Sequence, residues 1–141
     1  GWIQPGERIT EDYLRFILAE KDYGLSQARA ALADVERAKP ELRPDDYREL
    51  HELFSRTLLT ARIHRAVAGA YFGFRLWSKG PEHQTEFVTA TVQQGVDEIR
   101  TVTPLISDYS GYVPVGQWNW RQDSDRANRY LQAIVQSGAF H

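Results

Sequence analysis

The sequence predicts an all-α fold: an up-down antiparallel bundle of three long helices and a shorter C-terminal helix, joined by an aromatic-rich crossover loop. Three observations carry that prediction. Apolar residues recur three or four positions apart over three long stretches. Prolines and glycines cluster in short breaks, at 40–44 and at Lys79-Gly80-Pro81. Threonine and acidic residues stand where helices would begin. Short connections between consecutive long helices make them antiparallel neighbours.

Residues 1–9 read as a lead-in strap. Thr10 is a plausible N-cap, and Glu11 and Asp12 put negative charge in the first turn, where the helix dipole favours it. The apolar stripe Tyr13, Leu14, Ile17, Leu18 resumes after Gly24 at Leu25, Ala28, Leu32 and Val35, up to Lys39-Pro40. This is one long helix with a potential break at Gly24, since a mid-helix glycine costs up to about 1 kcal/mol relative to alanine. Pro44 suits a first helical position, where its missing N–H has no helical partner. From 45 to 78 there is no proline, and Tyr47, Leu50, Phe54, Leu58, Ala61, Ala68 and Phe72 keep helical spacing, with Arg65 the one polar intruder. At about 1.5 Å per residue this rod runs roughly 50 Å. Its second half, 66–77, is apolar nearly all round and calls for burial on more than one side.

A third helix is expected over about 82–102, on the stripe Val88, Val92, Val96, Ile99, with Pro104 marking its end or a kink. Residues 107–122 are the one long non-helical stretch. Asp123 or Ser124 then caps a last helix through Tyr130, Leu131, Ile134 and Val135, ending at Gly138. Without an internal repeat, low-complexity tract or linker, residues 1–141 form one domain. The opening Gly1-Trp2-Ile3-Gln4-Pro5 lacks an initiator methionine, a basic region and an apolar leader, so the chain reads as processed or as a piece excised from a larger protein.

Composition removes several function classes. With 17 Lys and Arg against 19 Asp and Glu, the formal charge is −2, which argues against a dedicated nucleic-acid binder. No run of about 18 apolar residues exists to span a bilayer. There is no cysteine, which excludes disulfides and thiolate metal sites and fits the cytosol or bacterial export alike. No cofactor or metal is expected. A di-metal bundle needs Glu-x-x-His pairs, whereas Arg48, Ala61, Gly80 and Gly138 stand three residues before His51, His64, His83 and His141. Neither a Gly-x-Ser-x-Gly elbow nor a glycine-rich phosphate loop occurs. No catalytic residue is therefore expected in this segment.

Two features remain. Gly69 and Gly73, beside Ala66 and Ala70, form a strip without side chains that lets another helix approach the backbone. Close packing inside the bundle is the expected use; Arg75, set among Phe72, Phe74 and Trp77, must pair with a carboxylate or stack on a ring. The crossover carries Tyr109, Tyr112, Trp118 and Trp120 within twelve residues, next to Arg121. Three roles fit these rings: a cap on the core, an interface to a neighbouring domain or subunit, and a ligand platform. Trp118 and Trp120 alternate, so in an extended segment one anchors inward while the other faces out.

The run Leu58-Leu59-Thr60-Ala61-Arg62-Ile63-His64-Arg65-Ala66-Val67-Ala68-Gly69-Ala70-Tyr71-Phe72-Gly73-Phe74-Arg75, followed by Tyr112-Val113-Pro114-Val115-Gly116-Gln117-Trp118-Asn119-Trp120-Arg121, resembles the helical region that follows the catalytic barrel in large bacterial glycoside hydrolases of the α-glucuronidase-like and hexosaminidase-like kinds. The likeness spans 11–137. It implies a non-catalytic accessory domain that braces a neighbouring catalytic domain in the same parent chain and lends an aromatic or an arginine to an oligosaccharide cleft. It also implies an extracellular or periplasmic setting. The paired carboxylates of such enzymes lie on the barrel, and none falls on a position here. The contact residues expected on this reading are Tyr109, Tyr112, Trp118, Trp120 and Arg121, with Arg75 as a further candidate. The competing expectation is a stand-alone helical module that homodimerises through the glycine strip and the aromatic loop, or binds a small ligand.

Overall fold

The computed structural model describes residues 9–109 and 120–141, and over these the fold is all-α. Helix α1 spans Glu11–Ala38, α2 Pro44–Val67, α3 Gly73–Trp77, α4 Glu86–Ser107 and α5 Trp120–Gln136. A π-helical turn, Ala68–Phe72, joins α2 to α3 without a break, so 44–77 is one rod. Helix α1 packs on α2, the rod packs on α4, and α4 packs on α5, which also reaches back to α2. That pattern is the expected antiparallel bundle.

Local chemistry sets most of the helix ends. Thr10 accepts from the Tyr13 amide at 3.1 Å, and Thr85 caps α4 by accepting from Val88 at 3.2 Å. The Thr85 hydroxyl also donates to Glu11 at 2.8 Å, which ties the N-termini of α1 and α4 together. Pro44 opens α2 as the sequence suggests, with Asp45 and Asp46 behind it. Gly80 adopts φ 147°, where a side chain would be strained, and ends the rod.

Helix α1 runs through Gly24 unbroken, as one long helix, because the residue is exposed and nothing requires a bend there. Three boundaries differ from the sequence expectation. Helix α4 starts later, at Glu86, since Pro81–His83 forms a separate 3₁₀ turn before the Thr85 cap. It also continues past Pro104 to Ser107. A helix-interior proline costs about 3 kcal/mol, but complete burial of Val102 and Ile106 recovers roughly 1.5–3 kcal/mol each. Helix α5 starts at Trp120 and not at Asp123 or Ser124; Asp123 sits in its first turn, and Ser124 is buried within it.

The rod has two buried faces. One meets α1 on the spacing read from sequence. The other, through Ile63, Ala66 and Ala70, meets α4 at Val92, Val96 and Ile99. Arg65, the polar intruder, is satisfied by Asp22 of α1 at 2.7 Å. Arg62 donates twice to Glu98 of α4, at 2.9 and 2.6 Å. After Gly138 the chain turns so that Phe140, 2% exposed, seals the base of the bundle against Trp77, 5.1 Å between ring centres.

Candidate functional site

The glycine strip is consumed by the fold. A Cβ on Gly69 would meet Thr91 and one on Gly73 would come within 2.9 Å of Val92, so α4 fills the strip. A third glycine, which no sequence stripe singled out, makes the closest approach: a Cβ on Gly95 would lie 2.5 Å from the Ala70 amide nitrogen and 2.8 Å from the Ala66 carbonyl. The strip therefore packs inside the bundle, and a homodimer formed through it has no surface left to use.

The π-helical turn lies at this closest approach. π-turns insert a residue into a helix and often re-aim side chains at functional sites. Here the turn carries Tyr71, whose ring lies 4.7 Å from that of Tyr130 on α5, with 33° between their planes. One turn on, the Arg75 guanidinium stands 5.6 Å from the Tyr71 ring centre and donates to its hydroxyl at 3.2 Å. Arg75 is exposed, so its charge is not desolvated as its apolar neighbours in sequence suggested; it lies in the range of a cation–π contact with Tyr71. Its side chain is exposed at the mouth of a cleft of about 500 Å³ whose lining includes Tyr71, Phe74, Arg75, Ser78, Lys79 and Tyr130. That volume falls within the roughly 300–1,000 Å³ of ordinary ligand pockets. The cleft offers aromatic faces, a serine hydroxyl and a guanidinium, a combination suited to a ligand with a flat apolar face and an anionic or hydroxyl-bearing edge.

A larger groove of about 660 Å³ runs between α1 and α2, past Gly24, Ala28, Ala31 and Ala61 to His64. It is walled chiefly by small side chains and offers no stacked rings. Burial pushes the His64 pKa below its usual 6.5, while Asp123, 3.9 Å away on α5, pulls the other way and Lys21 adds to the lowering.

The crossover residues divide. Tyr112 and Trp118 lie outside the described residues. Trp120, for which the sequence leaves a core cap, an interface and a ligand platform all open, is 6% exposed and packs edge-on against Tyr109 at 5.2 Å, so it anchors inward. Tyr109 is half-buried, and burial together with Glu52 pushes its phenol pKa up. Arg121 is exposed and donates to the Tyr109 carbonyl at 2.8 Å, which closes the junction between α4 and α5. Arg121 is held at the Tyr109 end of α5, whereas Arg75 belongs with Tyr71 and Tyr130. The Tyr71–Arg75 pair was readable from its four-residue spacing on one helix, whereas Tyr130 reaches it only through the α5 packing.

No family model, curated protein or solved structure matches the chain. Among the described residues, no group of three or more His, Asp or Glu side chains is placed to hold a metal ion, and no helix is long and apolar enough to cross a membrane.

Proposed function

We propose that this chain is a non-catalytic helical accessory domain of a larger carbohydrate-active enzyme, bracing the catalytic domain beside it and contacting glycan through the cleft of Tyr71, Arg75 and Tyr130. The cleft is the observation that carries the reading. Paired tyrosine faces stack on the C–H faces of sugar rings, and an exposed guanidinium pairs with carboxylates. A uronic-acid-bearing oligosaccharide has both features. The likeness of 58–75 to the helical region of α-glucuronidase-like enzymes supports the same reading, since Tyr71 and Arg75 lie within that run.

Calorimetric titration with an acidic, uronic-acid-bearing xylo-oligosaccharide and with its neutral counterpart tests it. The acidic ligand should bind more tightly. Arg75→Ala should reduce that preference, and Tyr130→Ala should weaken both ligands by on the order of 1 kcal/mol, as lost ring stacking does. Equal affinity for the two ligands, or titrations unchanged by both substitutions, would remove the glycan role.

A further inference from the structure

We infer that the outer face of α1 is a homodimer interface on which two copies of the helix lie antiparallel. This does not depend on the glycan reading. The face turned away from the bundle carries two large, strongly exposed rings, Phe16 at 64% and Tyr23 at 68%, seven residues apart on one side of the helix. The seam they define continues with strict four-three spacing from Asp12 to Arg37, about 38 Å of helix. Its other members are Ala19, Ser26, Ala30 and Ala33, all small. The one hydroxyl among them is already satisfied, as Ser26 donates to the Tyr23 carbonyl at 2.8 Å. Wide rings alternating with shallow places make a surface that a second helix can enter.

The occupant follows from the order of these residues. With a two-fold axis between Tyr23 and Ser26, every seam residue meets a complement. Phe16 meets the partner's Ala33, Ala19 the partner's Ala30, and Tyr23 the partner's Ser26, so each large ring lies over a small residue. Asp12 meets the partner's Arg37, an opposite charge at each end. In antiparallel pairs the residues flanking the seam face their own kind of position across the interface. On one flank Arg15 then opposes the partner's Glu36 and Asp22 the partner's Arg29. On the other, Glu20 faces the partner's Gln27 and Tyr13 the partner's Asp34, so no like charges meet. A parallel pair would set Asp12 against the partner's Asp12, Arg37 against the partner's Arg37 and ring against ring. The antiparallel register is self-complementary, as an isologous two-fold interface requires.

Light scattering on the purified chain at high micromolar concentration should report about twice the 16.2 kDa chain mass. Arg29→Glu, an exposed change that places like charges on one flank twice per dimer, should return the chain mass, and so should Tyr23→Glu. Circular dichroism confirms that each variant remains helical. The chain has no cysteine, so orientation is read directly: a mixture of Ala19→Cys and Ala30→Cys chains should oxidise to the mixed disulfide in preference to either like pair. A chain-mass species for the parent protein, a doubled mass unaffected by both single substitutions, or like-pair disulfides predominating would each overturn the inference. None of these measurements involves the cleft or a sugar, so failure here leaves the glycan reading standing, and the reverse.

Discussion

Gly95 offers a sharp test of how the bundle closes. Replacing it with alanine adds one methyl group, and the geometry gives that group no room: it would lie 2.5 Å from the Ala70 nitrogen, 2.8 Å from the Ala66 oxygen and 2.9 Å from the Ala70 Cβ. Two of these three neighbours are backbone atoms of the rod, so no side-chain rotation relieves the clash. The helices must separate by several tenths of an ångström, which loosens Val92, Val96 and Ile99, all fully buried. Overpacking of this kind costs about 1–3 kcal/mol, occasionally more. Alanine is the better helix former by about 1 kcal/mol, which offsets part of it. With two clashing atoms in the backbone the upper part of the overpacking range applies, about 2–3 kcal/mol. The net expectation is therefore a loss of about 1–2 kcal/mol, or some 3–8 °C in Tm for a domain of this size. Gly24→Ala is the matched control: a Cβ there meets nothing within 4 Å in the middle of an exposed helix, so the same substitution should stabilise by about 0.5–1 kcal/mol. Urea denaturation followed by circular dichroism measures both. If Gly95→Ala is as stable as the parent chain, α4 and the rod do not touch backbone to backbone, and the packing argument fails.

Two further outcomes follow from groups in the core and in the groove. The Ser124 hydroxyl is buried and has no hydrogen-bond partner among the described residues, so Ser124→Ala should leave the urea midpoint unchanged or raise stability by up to about 1 kcal/mol; a clear loss would mean that the hydroxyl is bonded. For His64 the folded-state pKa lies below the unfolded value of 6.5, so the unfolded chain takes up its proton first as pH falls. The His64 contribution to stability is thus intact above pH 6.5 and declines as pH drops below it. Proton NMR should place the His64 titration under 6.5, and Asp123→Asn should lower it further by removing the opposing carboxylate; a value above 6.5 contradicts the burial argument.

The candidate site was only half legible in the sequence. Arg75 was marked as a guanidinium needing a ring, because a charge inside an apolar run is a local anomaly. Tyr71 lay four residues before it, in reach along any helix. Tyr130 carried no such mark: it sits on a helix 55 or more residues away in sequence, and only the docking of α5 brings its ring to 4.7 Å. Trp120 went the other way. Its residue type and loop context left a core cap and a contact surface both open, and α5 buries its ring.

The sequence by itself determined the helices, because period, capping and breaking signals are local: Thr10, Pro44, Gly80 and the three- and four-residue stripes act within one or two turns. It also determined that the rod must be covered on more than one side, and it contains the antiparallel complementarity of α1, which depends only on residue order along one helix. Tertiary structure decided which face of the rod meets which neighbour, that Gly95 and not Gly69 makes the closest approach, and that the π-turn turns Tyr71 toward α5. Those outcomes depend on close packing between segments far apart in the chain, where a few tenths of an ångström select one arrangement and no local pattern records the choice.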